Sequence, residues 1–394
     1  MWRWPALSTA LPRRPEAVPE PIPNPASAEA DARFLTRPLS VLLDFVRFGA
    51  ALLVAVGHAV QLGIYRGPFP FGLRMQHYCV IVFFVLSGLV ISSSVLGGRS
   101  SLPRYFVARI SRILPVAIPA LLFAVLAAYV LAGTLPVAID NSPNDPIAVA
   151  SRLLPPMAFV SAWPGMPAPV WNPPYWSLCY EVWFYAIFAM AVFLRGWARV
   201  ATIIIGCFSA GGAILLLMPV WLLGVVLTHT PAARRLPLPI APVAMAVSLC
   251  LALALFEVDR AVLNPLLKAW WPGEVQWSEW ALADFAMGLI MVMALVSLRP
   301  VAERFAGTVM RMKEPAALLA GFSFTLYLFH WPLLQLARSH GLVAGRSPMA
   351  FAALLAVVVA ACALISLLTE RQSPRIRRWM EARMFAPAPD AVKA

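Results

Sequence analysis

The 394-residue sequence predicts an all-α fold, a polytopic transmembrane helical bundle of about ten spans with both termini cytoplasmic. Three observations predict it. Hydrophobic residues make up 61% of the chain and charged residues 12%, whereas soluble domains are about 25% charged. Apolar runs of about 20 residues, the length that crosses a bilayer as a helix, recur along nearly the whole chain. Most of the 31 Lys and Arg residues fall in the connections that one orientation places in the cytoplasm, the pattern expected of inner (plasma) membrane, multi-pass proteins.

Residues 1–37 are rich in Pro, Ala and Arg and lack a short apolar core before a small-residue cleavage site. They read as a disordered cytoplasmic tail rather than a signal peptide. Spans are expected at 40–62, 78–96, 113–133, 176–195, 199–217, 218–230, 239–256, 280–298, 315–338 and 349–369. The sixth is short for a full crossing. The longest outer loop, 134–175, ends in "WPGMPAPVWNPPY". Its Pro and Trp content predicts a stiff segment at the membrane interface. The membrane domain is thus expected over 38–370, followed by a basic cytoplasmic tail, 371–394.

The net charge of +13 is accounted for by basic cytoplasmic loops. No nucleic-acid-binding signature accompanies it, and no nucleic-acid partner is expected. Cys79, Cys179, Cys207, Cys250 and Cys362 are scattered through apolar segments without a CxxC pair. They fit neither a disulfide framework nor a metal site and read as small buried hydrophobes.

The first span, "LDFVRFGAALLVAVGHAV", carries Asp44, Arg47 and His58 in otherwise apolar sequence. Ionisable groups are costly in hydrocarbon and mark functional candidates there. Eleven residues separate Arg47 from His58, about three helical turns and about 16 Å of rise, so both share a face. Asp44, three residues before Arg47, lies on that side and can pair with it. Gly49, Ala50, Ala51 and Ala55 between them leave room for close packing. Under the expected topology Arg47 lies near the cytoplasmic end. His58, Glu181 of "WSLCYEVWFY" and His330 of "SFTLYLFHWPLL" then converge at one level in the outer half. Structural alternatives stand beside each. Asp44–Arg47 fits an interfacial ion pair with a snorkelling Arg47, and His58 fits an interhelical hydrogen bond. His330 lies beside Trp331-Pro332 at an expected helix break, and Asp284 reads as interfacial. Ser177, Glu181 and Tyr185 share one helix face, where hydroxyls often only bond neighbouring helices.

These segments resemble those of the acyltransferase type 3 family, polytopic membrane enzymes that O-acylate sugars and other acceptors. Arg47 and His58 fit its first-helix spacing of a basic residue and a histidine. "VFFVLSGLVIS" (82–92) is similar to its second helix, and "YFVARISRILP" (105–115) to the basic stretch before its third. Ser177, Leu178 and Glu181 match its Ser-Leu-x-x-Glu pattern, and Tyr327, His330 and Pro332 its ninth-helix motif. The resemblance runs from about 40 to 370. Where relatives commonly continue with a second acidic residue or Gln, this chain has Glu181-Val182-Trp183.

The resemblance implies transfer of an acyl group, acetyl or another short acyl, from cytoplasmic acyl-CoA to a hydroxyl of a carbohydrate or lipid-linked glycan. No permanently bound cofactor and no metal are expected. Physically, a hydroxyl attacks a thioester poorly until a base takes its proton, a task suited to His58. Glu181 could orient the imidazole, and Arg47 could hold a CoA phosphate or the thioester carbonyl. Arg99, Arg104, Arg109 and Arg112 could meet the nucleotide phosphates, or simply mark a cytoplasmic loop. Asp44, Ser177, Tyr327, His330, Arg109 and Arg112 are therefore the expected substrate-binding residues. Intramembrane His, Glu and Arg also suit a proton-coupled transporter, but no repeated half is evident. A non-catalytic lipid-handling or sensory protein would leave the five ordered motifs unexplained.

Overall fold

The computed structural model of the protein describes residues 33–70, 72, 74–96, 100–128, 146–163, 165, 166, 169, 171–271 and 275–385. Residues 1–32 of the expected tail, Arg99, residues 129–133 of the expected third span, residues 134–145 of the expected outer loop and residues 386–394 lie outside them. The regular elements described are helices: α1 (Arg37–Gln61), α2 (Met75–Leu96), α3 (Leu102–Leu126), α4 (Pro146–Met157), α5 (Trp176–Phe193), α6 (Gly196–His229), α7 (Ala241–Val258), α8 (Asn264–Trp270), α9 (Ala281–Arg304), α10 (Ala306–Arg311), α11 (Lys313–Ala320), α12 (Ser323–Ser339), α13 (Pro348–Ser366) and α14 (Ser373–Met384). One isolated bridge joins Tyr65 to Gly345.

Local sequence explains where several helices start. Thr36 caps α1, its hydroxyl accepting from Leu39 N at 3.5 Å, and Ser347 caps α13, accepting from Ala350 N at 3.2 Å. Each helix has a proline in its first turn, Pro38 and Pro348, where its missing N–H costs nothing. Between α7 and α8 the chain widens into a π-turn, Asp259–Leu263, which tucks Asp259 inward to pair with Arg74 at the head of α2. Insertions of this kind re-aim side chains.

Among the described residues eight helices are long and apolar enough to cross a membrane, nine if α11 and α12, bent by 41°, form one span. The sequence suggested ten. The difference lies in α6, a single 34-residue element covering the segments expected at 199–217 and 218–230. Its break is at Gly211, with φ 81°, a conformation open to glycine. Contacts show that α6 doubles back there. It begins directly after α5, whose Phe193 meets Tyr105. Near its end Thr228 Oγ1 donates to Ser92 Oγ at 3.1 Å. Just past the break, the Ala213 carbonyl accepts from Ser278 Oγ at 2.6 Å, at the opposite end of the bundle. The third span starts earlier than expected, since the basic stretch 102–112 is already helical. Residues 146–157, read as loop, are also a helix. The basic C-terminal segment carries α14, packed on α3.

The core is centred on α2, which packs on α1, α6 and α9, and on α12, which packs on α1, α3 and α13. The α2–α6 crossing is the tightest. A Cβ on Gly88 would overlap the Trp221 carbonyl, and one on Gly224 would overlap the Val85 carbonyl. Small residues of this kind let membrane helices approach backbone to backbone. Large apolar side chains such as Phe208, Ile204, Leu249 and Leu364 face outward, as a lipid-facing surface requires. Among the cysteines, Cys79, Cys179 and Cys362 are buried as expected, Cys207 is half-buried, and Cys250 is exposed on the outer surface of α7.

Candidate active site

Two chambers open between α1, α2, α5 and α12, and Val80 and Tyr327 line both. The first, about 890 Å³ including its mouth, is lined by His58, His77, Gln61, Gln76, Arg74 and four tryptophans: Trp176, Trp277, Trp280 and Trp331. The second, about 730 Å³, is lined by Arg47, Arg112, Glu181, Ser87, Ser177 and apolar residues of α2 and α12.

In the imidazole chamber His58 Nδ1 lies 2.8 Å from His330 Nε2. His330 Nδ1 lies 3.1 Å from the carbonyl oxygen of Leu326, one turn earlier on its own helix. A carbonyl can only accept, so His330 carries its proton on Nδ1 and its Nε2 has the lone pair. His58 must then donate from Nδ1, which leaves His58 Nε2 as a basic nitrogen. The two rings are nearly parallel, 3° apart with centroids at 5.1 Å, and Trp331 packs edge-on against His58 at 4.9 Å. His330 is fully buried, so the relay is held on all sides.

Pro332 helps to set this geometry. The helix runs through it, but proline offers no N–H to the carbonyl one turn back, that of Leu328. Asn172 Nδ2 fills the vacancy, donating to Leu328 O at 3.0 Å. Two residues on, the Pro174 carbonyl accepts from the Tyr327 hydroxyl at 2.9 Å. The segment "WNPPY" (171–175) is thereby fastened to the helix that carries His330. Ser177 Oγ and the Tyr327 hydroxyl are 2.6 Å apart and stand at the boundary between the chambers. The break expected near Trp331-Pro332 lies instead at Gly321-Phe322, between α11 and α12.

The arginine chamber holds the charges. Arg47 pairs with Asp44 at 3.6 Å, and Arg112, Glu181 and Glu370 are within electrostatic reach of it. Glu370, just beyond α13, accepts from Thr325 N at 2.9 Å and from Thr325 Oγ1 at 3.1 Å. Tyr185, one turn beyond Glu181, shares a hydrogen bond with Ser87 Oγ at 2.9 Å.

The expected convergence is therefore half met. His58 and His330 touch, and Arg47 lies in a separate chamber from them. Glu181 does not join the histidines; it lines the Arg47 chamber, beyond the Ser177–Tyr327 bond. The expected depth of Glu181 rests on its position along a span, and span ends are too loosely defined to resolve one helical turn. Asp284, expected at the interface, is fully buried, with both carboxylate oxygens 2.9 and 3.0 Å from His77 Nε2. Arg109 diverges from Arg112. It opens to a third cavity at the Arg47 end, with Arg104, Arg377, Glu381 and Phe385, and its guanidinium lies over the rings of Tyr105 and Tyr185. His77, Asn172 and Glu370 are not among the residues expected from the sequence. His77 and Glu370 were findable as ionisable groups next to apolar runs; nothing local distinguishes Asn172.

Comparison with curated proteins gave no match, and neither did comparison with solved structures. A family model described as "Acyltransferase domain" (Acyl_transf_3) matches residues 41–367, the stretch that runs from within α1 to the end of α13 and contains every residue lining both chambers. A buried imidazole relay beside an arginine-lined cavity, inside an apolar helical bundle, thus lies wholly within that match, and the chain belongs to this acyltransferase family as a membrane acyltransferase.

Proposed function

We propose that the protein moves a short acyl group from acyl-CoA to a hydroxyl of a carbohydrate or related acceptor, with His58 as the general base. The observation that carries this reading is the chain Leu326 carbonyl, His330, His58, which fixes the tautomer and leaves His58 Nε2 free in a chamber. The acceptor hydroxyl gives its proton to His58 Nε2 as its oxygen bonds to the acyl carbon. The carbon–sulfur bond breaks, and the proton passes on to the departing thiolate. His330 plays the part that a carboxylate plays in other triads, orienting the imidazole and sharing its developing charge. A neutral orienter avoids the cost of an unpaired carboxylate in an apolar setting.

Arg47 and Arg112 are assigned to the donor. Guanidinium groups suit phosphate or a polarised carbonyl, and the arginine chamber adjoins the imidazole chamber across Tyr327 and Ser177. Arg109, with Arg104 in the neighbouring cavity, is placed to meet the nucleotide end of the same donor. Asp44 and Glu181 balance the charge around Arg47. The excess of basic residues in these connections favours a cytoplasmic Arg47 end, with the donor entering there and the acceptor at the His58 end.

The test uses full-length protein in nanodiscs with acetyl-CoA and a panel of hydroxyl acceptors, reading CoA release and ester mass. Acceptor-stimulated CoA release that disappears in His58→Gln supports the reading. Equal turnover by wild type and a folded His58→Gln overturns it.

A further inference from the structure

The imidazole chamber has a second wall that the transfer step above leaves without a role. His77, in the first turn of α2, faces the same space as His58. Its Nε2 is claimed by the fully buried carboxylate of Asp284, which can only accept, so Nε2 carries the proton and Nδ1 is the ring atom left to accept. The ring cannot turn. It is stacked on Trp176 at 5.6 Å and 13°, and Trp280 packs edge-on at 4.9 Å. Trp176 is in turn stacked on Trp277 at 5.6 Å, giving the wall broad apolar faces. Trp331 Nε1 is buried without a hydrogen-bond partner among the described residues, and buried donors left unpaired call for an explanation.

The charges on this wall are already balanced. Arg74 lies over the Trp280 ring at 5.0 Å, but it is neutralised by the buried Asp259. What remains is Asp284 with His77, which together carry no net positive charge in either protonation state of the ring.

Resting on the acyl-transfer reading, we infer that this wall is the acceptor subsite: His77, held by Asp284, receives a hydrogen bond from an acceptor hydroxyl, and the subsite takes an uncharged polyhydroxyl ring rather than an anionic one. Flat indole faces fit the C–H face of such a ring, and a few fixed polar groups in an apolar pocket set its orientation. An anionic acceptor would lose its hydration and meet no free counter-charge. The arginine chamber is the reverse, with guanidinium groups in place of indoles.

The experiment uses full-length protein in nanodiscs with acetyl-CoA, and compares methyl β-D-glucopyranoside with the sodium salt of methyl β-D-glucuronide. The neutral glycoside is expected to accelerate CoA release at least ten-fold better than the glucuronide. His77→Gln should raise the half-saturating glycoside concentration at least ten-fold while the saturated rate falls less than three-fold. Should His77→Gln fail to fold, Trp280→Leu, which leaves the His77–Asp284 pair in place, is expected to shift half-saturation about five-fold in the same direction. His340→Gln, at the exposed residue just past α12, is the matched control. Unchanged half-saturation in the folded variants, or the glucuronide as the better acceptor, overturns the subsite. So does His58-dependent thioester cleavage that neither glycoside accelerates, and that outcome leaves the acyl-transfer reading intact. Absence of any His58-dependent cleavage removes that reading itself.

Discussion

The two chambers on either side of Tyr327 are made of opposite materials. One is built from imidazoles, indoles and amides, and its acid–base groups are joined by hydrogen bonds into neutral or self-balanced pairs. The other gathers two guanidinium groups and three carboxylates beside apolar side chains of α2 and α12. In a low-dielectric interior, unpaired charge is expensive and a hydrogen bond is strengthened. Under the proposed function, separating the two lets a proton acceptor stay neutral while a nearby cavity holds the charge that an anionic donor needs. The same division explains why one helix carries both Arg47 and His58: three turns of α1 reach from one environment to the other.

The comparison is broken most directly at His58. His58→Gln is expected to lower acyl transfer by about 10²–10⁴-fold, the usual worth of a general base, with the thermal midpoint in detergent essentially kept. Activity near wild type in a folded protein would make the imidazole chamber a structural feature only. His330 sharpens the picture further. His330→Leu should cost roughly ten-fold or more in kcat with little change in acceptor KM, since the orienting partner is lost. His330→Gln, which can still accept from His58 Nδ1, should lose less, and equal losses would argue against the relay. For the arginine chamber, Arg47→Lys is expected to raise the half-saturating acetyl-CoA concentration about ten-fold, or about 1.4 kcal/mol, because an ammonium lacks the planar fork. Full retention would reduce Arg47 to a partner of Asp44. The effect with the least bearing on turnover belongs to the frame around both chambers: Asn172→Ala leaves the Leu328 carbonyl unsatisfied and should cost about 1–2 kcal/mol of stability, seen as a lower unfolding midpoint.

Much of this arrangement was legible in the sequence. Helical periodicity alone put Asp44, Arg47 and His58 on one face, and the structure keeps Asp44 paired with Arg47. His330 was placed at the level of His58, and the two rings touch. What failed depended on distance rather than pattern. Glu181 lies one turn past Ser177 on α5, and that turn decides which side of the Tyr327 boundary its carboxylate reaches. His77 and Asp284 are 207 residues apart and become a pair only when α2 meets α9. The reversal inside α6 was expected between 217 and 218 and lies at Gly211, because its flanks are equally apolar; only a positive φ locates the turn.

The proline in α12 has a consequence for how this sequence can drift. Pro332 withholds an amide, and Asn172 supplies the replacement from a distant loop. Restoring the amide with Pro332→Ala would make the asparagine surplus, whereas losing the asparagine is harmful only while the proline is present. The two positions are therefore expected to be epistatic, tolerating change together better than singly. In an alignment of relatives they should covary, tying the evolution of the loop that roofs the chamber to that of the helix beneath it.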